Sequence, residues 1–433
     1  MIGAGALLLF AGACSSTSFV AAPDAGTGGT ASSTGGAGGG KSMGGAGGGA
    51  TAGSAGGAMG GAGGAGGTVA FVHPGLLINA ADIARIQAKI AAKSDPWLNN
   101  YNVLANNNLS STARAWTTPP AIIGRNAASA YAADRTQCEL DATAAYQTAL
   151  LYAISGKTAY ADYAVKVLNA YAAGVKHFDG VDPERDLEGA ILGWLWVEAA
   201  ELVRYGGTNY TGWAAADVAA FNNWIYDVVY SDQAYNAFGV LVTPIPNGAG
   251  ARGAFALRTK MAIGIYLENA TIYKEAVDYF FNGQGNGAPQ YYILPSTGQT
   301  WEAGRDQNHA QGGLSRLIET AHMAHNQGNE TLYAWGNDAL SRAIEYIASY
   351  NLGNDVPYTP IQPFTTKDSA VYPTISATGR GTFATIYELP YHYWHDIRGL
   401  AMPYTLQAIM AEGTEQFSLQ YDNPMFATLC FRQ

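Results

Sequence analysis

From residue 78 onward the chain repeats one pattern: apolar side chains recur every three to four positions over runs of about 12–20 residues, and Gly, Asn, Asp or Pro then cuts each run off. Strand-like alternation is scarce. Asn79 is placed to cap a helix over Ala80–Lys93, where Ile83, Ile86 and Ile90 keep the helical period, and Pro96 opens a second helix. The same reasoning predicts helices near 139–155, 158–173, 184–205, 210–229, 253–269, 271–281, 305–327, 329–350 and 398–411. Paired antiparallel helices on short turns over such a length predict an all-α fold, an (α/α) toroid or barrel of helical hairpins. Its mouth is lined by loops and helix ends. Two stretches break the pattern, Val240–Arg252 and Gly353–Thr385, and loops of that length inside a compact domain are usually functional. Both are expected to border a ligand cleft.

The N-terminal part cannot join this core. A large share of the 54 glycines falls between Gly26 and Gly67, in a tract of Gly, Ala, Ser and Thr with nothing to bury. Before it, Ala6-Leu7-Leu8-Leu9-Phe10 and Ala11-Gly12-Ala13-Cys14 resemble the apolar region and lipobox of a bacterial lipoprotein signal, although Met1–Gly5 carries no Lys or Arg. The expected organisation is a signal segment over residues 1–23, a tether over 24–67 and a catalytic-sized domain over 68–433. The protein is expected to be exported to the periplasm or cell surface, touching a membrane only through a lipid anchor at Cys14. No later apolar run is long enough to span a bilayer.

Charged residues are only 13% of the chain, about half the usual share near 25%. The formal charge of −10 excludes nucleic acid as a natural partner. An anionic ligand therefore needs a local cluster of the few cations. Cys138 and Cys430 carry no metal or nucleophile spacing, and a bridge and two buried thiols are both open readings. Gly156-Lys157-Thr158 lacks the first glycine of a phosphate loop, since Leu151 stands there. His322/His325 and His392/His395 have the spacing of metal ligands but neither pair has a third ligand, so no metal and no cofactor is expected.

The densest constellation is Glu302-Ala303-Gly304-Arg305-Asp306-Gln307-Asn308-His309, followed by Gly312-Gly313. In a continuous helix, residues 302, 305 and 309 stack on one face. Arg305 then offers a planar fork to a carboxylate, His309 exchanges a proton, and Glu302 orients either. The bland alternative is a solvated helix start with ordinary ion pairs. A second cluster, Arg380-Gly381 and Tyr387-Glu388-Leu389-Pro390-Tyr391-His392-Tyr393-Trp394-His395, reads either as core filler or as a sugar platform with proton-transferring tips.

These strings resemble a known group. His73-Pro74-Gly75-Leu76-Leu77 with Asp95-Pro96-Trp97, the Glu-x-Gly-Arg-Asp-Gln-x-His string, and Arg380-Gly381 through Tyr404 are similar to the bacterial alginate lyase family of polysaccharide lyases, over nearly all of residues 73–410. The resemblance implies an (α/α) barrel and metal-independent β-elimination on a uronic-acid polysaccharide such as alginate or glucuronan. It implies catalysis by His309, Arg305 and Glu302 with one of Tyr387, Tyr391 and Tyr393, and substrate contacts from Asn247, Gln307, Arg252, Arg380, His392 and Glu388. The family's Asn-Trp pair is missing, with Asn247 or Arg252 as substitutes, and a second Arg expected after Arg380 is replaced by Ala384. The competing functions are a glycoside hydrolase using Glu302 with Asp306, or Asp141, and a surface carbohydrate binder without catalysis.

Overall fold

Residues 70–433 are described by a computed structural model, apart from 126–128, 180–183, 209, 232–249, 365–369 and 414–425. The helices are α1 Ala80–Ala91, α2 Trp97–Ala105, α3 Arg135–Ser155, α4 Thr158–Gly174, α5 Glu184–Glu201, α6 Ala215–Trp224 and α7 Gly250–Tyr266. They continue as α8 Ala270–Asn282, α9 Pro289–Tyr292, α10 Gln307–Asn326, α11 Ala339–Asn351, α12 Glu388–Tyr391, α13 Pro403–Glu412 and α14 Ala427–Phe431. Among the described residues the named strands are β1 Ile122–Gly124 and β2 His177–Asp179, a short parallel pair that the sequence pattern did not announce.

Two kinds of helix alternate. In α7 every residue except Arg252 is buried, and α5 is buried over nearly its whole length. In α8 only Ile272, Tyr273, Ala276 and Phe280 are buried, one stripe of an amphipathic surface helix. The largely buried helices α3, α5, α7 and α10 pack side by side in that order, and α4 and α8 lie against them as antiparallel returns. Gly156, at φ +69, makes the tight turn from α3 into α4.

Because each hairpin returns the chain to the same side, the inner helices all start at one end. Contacts between their first turns demonstrate it: Arg135 of α3 reaches Glu188 of α5, Glu184 of α5 reaches Arg252 of α7, and Ala251 of α7 donates its N–H to Glu302, just before α10. The opposite end is sealed by the N-terminal segment. His73 and Gly75 bond Glu201 at the end of α5, Gln327 after α10 bonds Val72 and Gly75, and α1 holds the end of α3 through Gln87. This is the expected helical toroid, with the starts of the inner helices gathered at one end.

Several boundaries differ from the expectation, among them that of the helix predicted over 398–411, which starts at Pro403. The helix predicted from 305 starts at Gln307, because Trp301–Gly304 is a 3-10 turn and Asp306 is extended, with φ −170. The helix predicted from 329 starts at Ala339, because Gly336, Asn337 and Asp338 all have positive φ, a left-handed run that an α-helix cannot contain. The one predicted over 210–229 starts at Ala215. Of the loop Val240–Arg252, residues 240–249 lie outside the described residues and the rest begins α7. The lipobox, tether and Cys14 lie outside them too. Cys138 and Cys430 are buried thiols in α3 and α14.

Candidate active site

The site is built around the cap of α10. Asp306 accepts the N–H of His309 on Oδ1 at 2.8 Å, which caps the helix, and meets the His309 ring at Nδ1 through Oδ2 at 2.6 Å. One carboxylate thus fixes both the helix start and the imidazole. Burial alone pushes the Asp306 carboxyl up, but the hydrogen bonds from His309 and the charges of His309 and Arg305 outweigh it and hold it below the usual carboxylate range. An ionised Asp306 selects Nδ1 as the protonated nitrogen, which makes Nε2 the one able to accept a proton.

Arg305 precedes the cap. Its Nη1 donates to Glu302 Oε1 at 3.0 Å, and its Nε stands 3.7 Å from Asp306. Glu302 is fully buried, and its other oxygen accepts from the Ala251 N–H at 3.0 Å and the Tyr292 hydroxyl at 2.9 Å. The side chains of Arg305 and His309 remain 29% and 26% exposed, so these two reach solvent while their anchors do not. One turn beyond His309, apart from the adjoining backbone and chain neighbours, no atom of the described residues stands within 4 Å of a Cβ placed on Gly312.

The described residues of the long segment 353–385 pack against this start of α10, as its composition suggested. Thr378 accepts the Gln307 N–H, Ser376 donates its N–H to Ala303, and Ala370 accepts from Trp301. It brings in Tyr372, which sequence reasoning missed. Its ring packs on Trp301 with centroids 5.5 Å apart, in space kept by Gly304, where a Cβ would lie 2.3 Å from Tyr372. Burial raises the Tyr372 phenol above its usual value, the Arg305 charge opposes this, and Glu302 and Asp306 add to it. Arg305, Asp306, His309 and Tyr372 are therefore the half-exposed, chemistry-bearing groups collected here.

Most other expected site residues have structural employment. Glu302 does not share a helical stripe with Arg305 and His309; it is a buried anchor that ties Arg305 to α7. Gln307 is buried and bonds Ala303, Ser376 and Asn351. Tyr387 is fully buried with its hydroxyl on Gln311. Glu388 is buried against Arg432 and Thr428. Arg380 donates to the carbonyls of Tyr350 and Asn354 and lies over the Tyr350 ring at 4.1 Å.

Tyr393 stacks on Tyr333 at 3.6 Å, bonds Glu330 at 2.8 Å and packs against His325. From 309 to 325 along α10, at about 1.5 Å per residue, is about 24 Å. Tyr391 lies on His395, and His392 pairs with Asp396 and Gln433 in the same region. Tyr391, His392 and Tyr393 are thus at the sealed end, away from His309. His322 is buried on Tyr333, His325 bonds Glu330, and no group of three metal-ligating side chains occurs among the described residues. Arg252 is half-buried at the mouth on Glu184. Asn247 lies outside the described residues.

No family model matches the sequence, and no curated protein does. Solved structures do resemble it. Alginate lyase A1-III from Sphingomonas species A1 has a TM-score of 0.57 at 14% identity, over 84% of this chain and 98% of that one. A tyrosine-to-phenylalanine variant of alginate lyase A1-III complexed with tetrasaccharide gives 0.59 at 13%, over 83% and 95%. An alginate lyase from Bacteroides ovatus gives 0.54 at 14%, over 78% and 96%. At such identities the likeness is one of architecture: the chain has the helical (α/α) toroid fold of the alginate lyases.

Proposed function

We propose that this protein is a polysaccharide lyase that cleaves a uronic-acid polysaccharide by β-elimination. One observation carries the reading: an imidazole oriented by an ionised carboxylate stands beside a guanidinium, all partly exposed at the end of the toroid where the inner helices begin. Elimination removes the C5 proton, which lies α to the uronate carboxylate and is acidic only when that charge is neutralised. Arg305 neutralises it. His309 takes the proton, the electron pair forms the C4–C5 double bond, the C4–O bond breaks, and the departing oxygen takes a proton from Tyr372. Tyr372 replaces Tyr387, Tyr391 and Tyr393 in that role because, of the two tyrosines whose phenols feel both Arg305 and Asp306, Tyr292 is fully buried with its hydroxyl on Glu302 and Tyr372 is half-exposed.

The hydrolase alternative needs two accessible acids across the bond. Glu302 is buried under three donors, and Asp141 is buried under Arg114, Thr117, Gln137 and Tyr171. The alginate lyase complexed with tetrasaccharide supports a polysaccharide as the substrate class. Export and lipid anchoring at Cys14 rest on the sequence; a Cys14→Ser chain that stayed with membranes as wild type does would overturn them. The catalytic reading is tested by incubating the protein with polymannuronate, polyguluronate, glucuronan and hyaluronan while following ultraviolet absorbance of the unsaturated uronate. A rise with one polymer names the substrate. Binding without absorbance on every uronan contradicts catalysis and leaves a carbohydrate binder.

A further inference from the structure

The cleavage chemistry leaves a second charged cluster at the same mouth unused. Arg125, which follows β1, donates through Nε to Glu184 at 3.0 Å and through Nη1 to Glu188 at 2.7 Å. Arg252 donates to the other oxygen of Glu184. Arg135 bonds Glu139 at 2.9 Å and stands 3.2 Å from Glu188. The cluster has a floor and a face. Side chains of Glu188 and Glu139 are 0% and 2% exposed, whereas Glu184 and Arg252 are 22% and 23% exposed.

Stability does not explain the face. Arg252 is the one residue of α7 that is not buried, and an ion pair at a partly exposed position contributes little, about 1 kcal/mol. Its position is telling instead. The preceding residue, Ala251, donates its N–H to one oxygen of Glu302, while the other oxygen holds Arg305. A single buried carboxylate thus ties the backbone beside Arg252 to the guanidinium of the cleavage site.

We propose that Arg125 and Arg252 form a second subsite for a uronate carboxylate, and that Glu184 is its resident occupant, displaced when substrate binds. The ligand class rests on the lyase reading above. Two guanidinium groups converging on one carboxylate are a carboxylate receptor, and planar forks bind such groups with defined geometry. Exchanging Glu184 for a substrate carboxylate keeps the number of charge-assisted bonds. The Glu184 side chain sits in the first turn of α5, already partly in water, so its release strands no buried charge. Arg125 retains Glu188 beneath it throughout. Burial, together with the charge of Glu188, pushes the Glu139 carboxyl up to about 7, which lessens the negative charge beneath the subsite near neutrality.

The test compares affinities of the full chain, in a His309→Ala background that prevents cutting, for polymannuronate, polyguluronate and glucuronan by calorimetry. Glu184→Gln should bind the preferred uronan about tenfold more tightly, because the competing carboxylate is gone, and Arg252→Gln about tenfold more weakly, the scale of one charge-assisted hydrogen bond. Carboxyl-reduced polymer should not distinguish the three proteins. Arg252→Lys, which keeps the charge and loses the fork, should fall between Arg252→Gln and the parent, and thermal melts confirm that each variant is folded. A folded Glu184→Gln that binds no more tightly, or a folded Arg252→Gln that binds no more weakly, overturns the subsite. The predicted affinities without unsaturated product from the unsubstituted protein would sink the cleavage reading and leave the subsite standing. Product formation with equal affinities would do the reverse.

Discussion

At the scale of single residues, the account rests on Asp306 holding His309. Asp306→Asn keeps an oxygen to cap α10 but loses the charge that selects the imidazole tautomer. We expect it to lower kcat/KM on the preferred uronan by on the order of 10²-fold or more, with His309→Ala at least as damaging. Tyr372→Phe should cost on the order of 10² in kcat at nearly unchanged KM, since it removes only the proton of the leaving step; a wild-type kcat would exclude Tyr372 as the acid. The string from Glu302 to His309 was legible in the sequence as a dense cluster in a chain poor in charge. Its geometry was not, because Asp306 was read as inside a helix when an Asp three residues before His309 is also a helix cap. Tyr372 lay in a Pro- and Thr-rich stretch without periodicity, so nothing local marked it. Tyr387 and Tyr393 looked functional for their polar tips, yet Gln311 and Glu330, distant in sequence, satisfy those tips.

At the scale of elements, adjacent glycines on α10 separate packing from access. Gly313 faces Tyr292, where a Cβ would stand 2.1 Å from the hydroxyl that bonds Glu302. Gly313→Ala gains about 1 kcal/mol of helix propensity but overpacks a filled contact, typically costing about 1–3 kcal/mol. We expect its melting temperature and activity to fall together. Gly312→Leu, on the turn after His309, meets no described residue within 4 Å of its Cβ apart from its adjoining residues, and should keep the melting temperature while hindering substrate, seen as a raised KM. Equal melting temperatures for both variants would contradict this packing. Helix existence was readable from periodicity, and the α4 prediction of 158–173 matches Thr158–Gly174 closely. Where boundaries failed, the cause was backbone conformation, as in the left-handed run Gly336–Asp338.

At the scale of the molecule, the buried acids make stability depend on pH. Burial, with the charge of Glu201 adding, pushes the Glu198 carboxyl up to about 8, and Glu139 lies near 7. A carboxyl raised on folding binds more protons in the folded state, so this stabilisation is complete below its ordinary value and is lost as pH rises through 7 to 8. The melting temperature should therefore fall between about pH 5 and pH 9 by this linkage. Glu198→Gln and Glu139→Gln should flatten the decline, and an unchanged slope would place those protons elsewhere. The toroid itself was legible because hairpin repetition over such a length has few other solutions. Which end carries the site was not, since only contacts such as Arg252 with Glu184 and Gln327 with Gly75 tell the two ends apart. The central claim is that bonds are broken at this mouth by elimination, and the most direct measurement counts double bonds and new reducing ends in the same digest. One unsaturated uronate per new reducing end, and neither with His309→Ala, is the predicted result; reducing ends without double bonds would contradict it.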